Sequence, residues 1–237
     1  MCTVSFIPLK NKVFLTSNRD EKYRRLPATP PMRCSQGSCE MIFPKDGDAG
    51  GSWINACNNG NAGVLLNGAF ANHKKNENYL KSRGLIFLEI MSSEIPLQEF
   101  LSASLFGIEP FTLILWQQNN LYECRLDDKL IKHCRYLPKD CAYIWSSATL
   151  YEKEVREKRQ ASFAEWLTEH PFPSQDEILC FHRFAGSDDK KNSDFIYRNK
   201  NVFTVSTTIM DLTIKRARMK HIDFIMGNTT ETNLLFF

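Results

Sequence analysis

The sequence predicts an α+β protein built on antiparallel sheets, and three observations carry that reading. Short apolar runs are separated by polar turns such as Asn58-Asn59-Gly60-Asn61, whose Asn and Gly residues supply the positive φ angles of tight hairpins. Helical patterns come in blocks and do not alternate one for one with strands, which argues against a doubly wound parallel sheet. The first strand is bulky on both sides: period 2 groups Cys2, Val4 and Phe6 on one face and Thr3, Ser5 and Ile7 on the other. Such a strand wants cover on both faces, as in a layered sandwich.

The elements follow in order. Cys2 to Leu9 and Val13 to Asn18 read as a hairpin around the polar turn Lys10-Asn11-Lys12. Residues 22–37 carry Pro27, Pro30 and Pro31 and are expected as an ordered loop or lid. Trp53 to Cys57 and Ala62 to Asn67 form a second hairpin, leaving Asn67 at a strand end. Lys81 to Met91 and Pro96 to Phe106 read as helices, with Pro96 suited to a first turn. Phe111 to Trp116, Leu121 to Arg125, Leu130 to Tyr136 and Ala142 to Trp145 make an antiparallel meander. Glu152 to His170 is a helix with Val155, Phe163, Trp166 and Leu167 on its buried stripe. Ser174-Gln175-Asp176-Glu177 is a capping box for a helix running to Phe184. Residues 185–200 read as loop, and Val202 to Met210 and His221 to Met226 as late strands.

Composition bounds the function. A chain of 237 residues with no linker-like stretch is expected to form a single domain over residues 1–237. The net charge is only +3 and no basic run interleaves with aromatics, so no nucleic-acid partner is expected. No apolar stretch approaches the roughly 18–20 residues of a membrane span, so no integral membrane segment is expected. The first residues lack a basic region followed by an apolar core, and a cytoplasmic location is the expectation. The eight cysteines are then expected to be reduced, and Cys57, Cys124, Cys134, Cys141 and Cys180 read as packing residues. There is no Cys-x-x-Cys and no matching His cluster, so neither a metal nor a cofactor is expected.

Cys2 stands apart from the other cysteines because it directly follows Met1. Removal of Met1 would put a thiol and a free α-amine on one residue, a nucleophile with a base built in. The reference thiol titrates near ~8.5 and the α-amine near ~7.7–8.0, so a neutral amine is accessible close to pH 7. Taken alone, Cys2 reads first as a small apolar residue that opens a strand.

Further blocks accompany it. Asn18-Arg19-Asp20-Glu21 behind a Met-Cys start closely resembles the NRDE family, also called transport and Golgi organisation protein 2-like. Asp48-Ala49-Gly50-Gly51-Ser52-Trp53-Ile54, Gly63-Val64-Leu65-Leu66-Asn67, Ser82-Arg83-Gly84-Leu85-Ile86 and Thr204-Val205-Ser206-Thr207-Thr208-Ile209 resemble later segments of that family, in its order. The resemblance implies a four-layer αββα sandwich with two stacked antiparallel sheets, the N-terminal nucleophile hydrolase-like fold. It is nearest to the choloylglycine hydrolase and penicillin V acylase branch, where a freed cysteine attacks a non-peptide amide. Carried over by residue, it implies Cys2 as nucleophile, Arg19 and Asp20 as its supports and Asn67 as oxyanion donor. Asn18, Glu21 and Trp53 complete the candidate set as substrate-binding residues. Arg19 and Asp20 also admit a structural role as a pair pinning the turn, Asn67 as a plain strand end, and Trp53 as core. Ser146-Ser147 stands where the family pattern carries Ser-Asn.

Two expectations of function result. The first is an N-terminal-cysteine amidohydrolase acting on a small-molecule carbon–nitrogen bond. The second, also implied by the resemblance, is a non-catalytic protein handling haem or a lipid such as acyl-CoA on the same scaffold, with haem trafficking as its context.

Overall fold

The computed structural model describes residues 3–22, 25–36, 39–73, 79–184, 197–199 and 202–236, with backbone alone at Lys22 and 197–199. The chain opens with six strands: β1 (Thr3–Leu9), β2 (Lys12–Lys22), β3 (Thr29–Gln36), β4 (Cys39–Lys45), β5 (Ile54–Cys57) and β6 (Ala62–Asn67). Two helices follow, α1 (Arg83–Met91) and α2 (Pro96–Ser102). Then come β7 (Phe111–Gln117), β8 (Asn120–Leu126), β9 (Lys132–Leu137) and β10 (Tyr143–Ser146). A second helical block, α3 (Lys153–Glu169) and α4 (Gln175–Phe184), precedes β11 (Tyr197–Asn199), β12 (Val202–Leu212), β13 (Arg216–Asp223) and β14 (Asn228–Leu235).

The strands form two sheets in which all the named pairs are antiparallel. The first runs β10-β1-β2-β12-β13-β14, with β11 pairing with β12; the second runs β3 to β9 in sequence order. The larger core lies between the sheets and beneath α1 and α2, and includes Val4, Phe6, Leu15, Ile54, Val64, Phe87, Leu113 and Met219. A smaller one joins Ile7, Phe14, Ile144 and Ile209 to Phe163, Ile178 and Phe181 of α3 and α4. The layers are therefore helix, sheet, sheet, helix. The alternation read from β1 holds: Val4 and Phe6 face the second sheet, while Thr3, Ser5 and Ile7 face α3 and α4. Burying each large apolar side chain is worth about 1.5–3 kcal/mol, and Phe163, Ile178 and Phe181, with Trp166, Leu167 and Leu179 packed beside them, supply such burial for the outer helices.

Several boundaries differ from the sequence reading. The proline-bearing stretch contains β3, because Pro30 and Pro31 sit on an edge strand at a register shift between Thr29 and Met32, where a missing N–H costs no ladder bond. The last strands are β13 and β14, turning at residues 224–227 instead of running through them. The buried stripe of α3 uses Arg159 and Phe163, while Val155 is exposed. The predicted capping box is present: the Glu177 carboxylate accepts from the Ser174 N–H and hydroxyl, each at 2.7 Å. Among the described residues no helix is long and apolar enough to cross a membrane.

Glu123 clamps the two sheets at one edge. It is 4 % exposed, accepts from Trp145 Nε1 of the first sheet at 2.7 Å, and pairs with Arg125 and Arg135 of the second. Burial opposes its ionisation, but the two guanidinium groups outweigh that and hold its carboxyl below the usual range.

Two buried histidines give the fold a pH dependence. His182 sits between α4 and the first sheet, its Nε2 2.7 Å from Ser5 Oγ. Burial, with the charge of Arg159, lowers its pKa to about 3 against an upward pull from Asp20. His221, on β13 beside Trp53, is lowered to about 4, mainly by burial. Both are neutral in the fold at pH 7, whereas an unfolded histidine titrates near ~6.5. Below that pH the unfolded chain binds protons that the fold refuses. Stability is therefore complete above about pH 6.5 and falls as pH drops toward 4, by up to about 1.4 kcal/mol per pH unit for each histidine. Urea unfolding midpoints measured from pH 7.5 down to 4.5 should show this decline; a flat profile would contradict it.

Candidate active site

Strand alternation divides the Asn18-Arg19-Asp20-Glu21 block between two faces of the first sheet. Arg19 and Glu21 point between the sheets and line a cavity of about 650 Å3. Asn18 and Asp20 point toward the outer helices. Asn18 Nδ2 donates to the His182 carbonyl at 2.9 Å and its Oδ1 accepts from Thr207 at 2.8 Å. Asp20 accepts from Thr204 Oγ1 at 2.5 Å and from the Tyr151 hydroxyl at 2.8 Å. The β12 register slips between Thr204 and Ser206, directly opposite Asp20 and Arg19. Bulges of this kind re-aim side chains beside functional sites.

Arg19 is almost fully buried, its side chain 3 % exposed. Its partner is Asp46, at 2.6 Å, with Glu21 farther off at 3.7 Å. Its guanidinium lies 4.8 Å from the ring centroid of Trp53, a stacking that positions the group without neutralising it. Asp46 in turn organises the loop that follows β4. Its Oδ1 accepts from the N–H groups of Asp48 and Ala49 and pairs with Arg25 at 3.1 Å. Burial disfavours the Asp46 anion, yet the Ala49 N–H, Arg19 and Arg25 together hold its carboxyl below the usual range.

A glycine contact joins two walls of the cavity. A Cβ on Gly51 would lie 2.4 Å from the carbonyl carbon of Gly84, and one on Gly84 would lie 2.8 Å from the Ser52 oxygen. Ser52 N–H donates to the Gly84 carbonyl at 3.2 Å. No side chain fits at either position without moving backbone. This is why the Gly50-Gly51-Ser52-Trp53 and Ser82-Arg83-Gly84 segments, far apart in sequence, meet here. Ser82 caps α1 by accepting from Leu85 N–H, and Arg83 pairs with Glu109 at 3.0 Å. His73 also approaches Glu109, at 3.3 Å.

Asn67 reaches the cavity from the end of β6 in the second sheet. Its backbone is pinned: its carbonyl accepts from Ser147 Oγ at 2.8 Å, and the next residue, Gly68, has φ 80° and donates its N–H to Pro110. The Asn67 side-chain amide has no hydrogen-bond partner among the described residues and lines the cavity.

Of the sequence-predicted residues, the cavity thus gathers Arg19, Glu21, Trp53 and Asn67, while Asn18 and Asp20 serve a polar network on the other face of β2. Cys2 lies outside the described residues. Thr3, to which it is bonded, is buried between Asn18 and Ser146 on the neighbouring strands. Trp53 is 3 % exposed and acts as core and cavity wall together. Sequence reasoning missed Asp46, Arg25 and the Arg83–Glu109 pair. Only Asp46 carried a local signal, as an Asp preceding a Gly-rich turn. Among the described residues no group of His, Cys, Asp and Glu is arranged to hold a metal ion.

Two stacked antiparallel sheets between helix layers form the four-layer sandwich of the N-terminal nucleophile hydrolase-like fold. Solved structures share it. A Caenorhabditis elegans N-acylethanolamine-hydrolyzing acid amidase ortholog matches over 88% of this chain and 92% of its own, with a TM-score of 0.61 at 9% identity. A variant of conjugated bile acid hydrolase from Clostridium perfringens matches over 98% of this chain and 92% of its own, with a TM-score of 0.55 at 11% identity. At such identities the likeness is one of fold. The family model for Transport and Golgi organisation 2 matches residues 1–221, and the chain belongs to that family. No curated protein matches its sequence.

Proposed function

We propose that this chain is an amidohydrolase that cleaves the carbon–nitrogen bond of a small, non-peptide amide with the thiol of Cys2. The observation that carries this reading is the convergence of Arg19 from one sheet and Asn67 from the other on a single cavity. The residue bonded to Cys2 pairs with the neighbour of Arg19. With Met1 removed, the α-amine accepts the thiol proton and the sulfur attacks the amide carbon. Asn67 donates to the oxyanion and Arg19 favours the thiolate, while Asp20, on the other face of β2, supports the strand through Thr204 and Tyr151. The C–N bond breaks as the amine takes the proton, and water then hydrolyses the thioester to free the acid. Ser147 holds the Asn67 carbonyl rather than acting on the substrate.

The test is release of amine from a panel of N-acyl amines. Wild type should turn over at least one class, and Cys2→Ala none. Equal turnover by Cys2→Ala would remove Cys2 from the chemistry.

A second reading, a non-catalytic carrier of haem or acyl-CoA, draws on the charge of the cavity wall. Four cations, Arg19, Arg25, Lys81 and Arg83, face three carboxylates, Glu21, Asp46 and Glu109, a surplus suited to propionates or phosphates. Saturable binding of either ligand without turnover, unchanged in Cys2→Ala, would favour it.

A further inference from the structure

Two cysteines away from the cavity form a pair that amide hydrolysis does not use. Cys124 on β8 and Cys134 on β9 are direct cross-strand partners, on the same face as the Tyr122 and Tyr136 pair two residues along. Their sulfur atoms lie 3.2 Å apart. Residues directly opposed in an antiparallel ladder have Cα atoms about 4.5 or 5.5 Å apart. A disulfide spans Cα separations of about 4.4–6.8 Å, so either type of pair can be bridged without moving a strand.

Burial divides the two roles. Cys134 is exposed and Cys124 is buried. The hydrogen bond from the Cys124 thiol draws the Cys134 pKa below the usual thiol range, against burial and the nearby Glu123. The same bond, with burial and the charge of Cys134, pushes Cys124 far up. An accessible thiol with enhanced thiolate character beside an inaccessible one is the arrangement of an attacking and a resolving cysteine. No other described pair has it. Cys39 and Cys57 interact through their side chains, but both are buried, while Cys141 and Cys180 are exposed with no second thiol in hydrogen-bond reach among the described residues.

We propose that Cys124 and Cys134 form a reversible oxidation site whose co-substrate is a small-molecule disulfide of the glutathione type. The Cys134 thiolate attacks one sulfur of that disulfide. A new S–S bond forms, the old one breaks, and one small thiol leaves with the electron pair and takes up a proton. Cys124 then loses its proton and attacks Cys134 Sγ, closing the protein disulfide and expelling the second small thiol, which takes the proton. Two protein thiols are oxidised and one small disulfide is reduced to two thiols. The new bond fastens β9, the edge strand of the second sheet, to β8.

The test uses the full chain equilibrated with mixtures of reduced and oxidised glutathione, quenched with acid, alkylated and digested. Cys124 and Cys134 should both become resistant to alkylation, in a linked peptide pair that contains them, and reductant should restore both. Cys124→Ser should arrest Cys134 as the mixed disulfide with glutathione. Cys134→Ser, at an exposed position that leaves the core intact, should keep Cys124 fully unmodified. Three results overturn the proposal: Cys124 and Cys134 of the oxidised wild type both remaining alkylatable, the wild type stopping at the mixed disulfide, or Cys124 becoming resistant to alkylation in Cys134→Ser. None of these readouts involves Cys2.

Discussion

Replacing Asp46 with alanine should destabilise the fold by about 3–5 kcal/mol, the usual result of removing one partner from a buried ion pair. The reason is the environment of Arg19. Its side chain is 3 % exposed and its close anion is Asp46 at 2.6 Å, with Glu21 left at 3.7 Å. Without Asp46 the guanidinium is both desolvated and poorly paired, and the N–H groups of Asp48 and Ala49 lose their acceptor. Asp46→Asn separates these two losses, because an amide oxygen still accepts from the turn but carries no charge. Urea unfolding should rank wild type above Asp46→Asn and Asp46→Ala lowest. Equal loss in both variants would make the charge irrelevant, and a loss within about 0.5 kcal/mol in either would place Asp46 among ordinary surface positions.

Asn67→Ala is expected to do the opposite: to leave stability within about 0.5 kcal/mol of wild type and to lower amide turnover by about 10²–10³, the effect of deleting one oxyanion donor. The Asn67 amide has no described partner to lose, and its backbone is positioned by Ser147 and by the Gly68 turn rather than by its own side chain. The two measurements must therefore part company. A large drop in stability would make Asn67 structural. Unchanged turnover in a stable variant would take it out of the oxyanion site.

Antiparallel hairpins and a β1 covered on both faces were legible because β1 and the β5–β6 hairpin carry strong local signals, bulk on both faces of the first and an Asn-Gly turn in the second, whereas the two stacked sheets were legible only through the family resemblance. The candidate residues Arg19, Glu21, Trp53 and Asn67 were legible only through the family resemblance, and the cavity they line was not, since Gly51 and Gly84 reveal nothing locally of their contact across the fold. Strand period alone separates Arg19 and Glu21 from Asn18 and Asp20, although the tetrapeptide reads as one block. Other features depend on tertiary context. Strand β3 was hidden by Pro30 and Pro31, which signal a turn unless the strand is known to be an edge. The Arg83–Glu109 pair joins residues whose proximity only the folded chain creates. The pairing of Arg19 with Asp46, and not with adjacent Asp20, follows because consecutive strand residues face opposite ways.

The proposed chemistry requires a processed N-terminus at Cys2. The most direct measurement is the intact mass of the purified chain before and after an electrophilic acyl probe, followed by mapping of the label. The expected result is a chain lacking Met1 that gains one acyl group, located on Cys2 and lost in Cys2→Ala. A chain that keeps Met1, or a label that persists unchanged in Cys2→Ala, would contradict the N-terminal nucleophile and leave the cavity with no chemistry of its own.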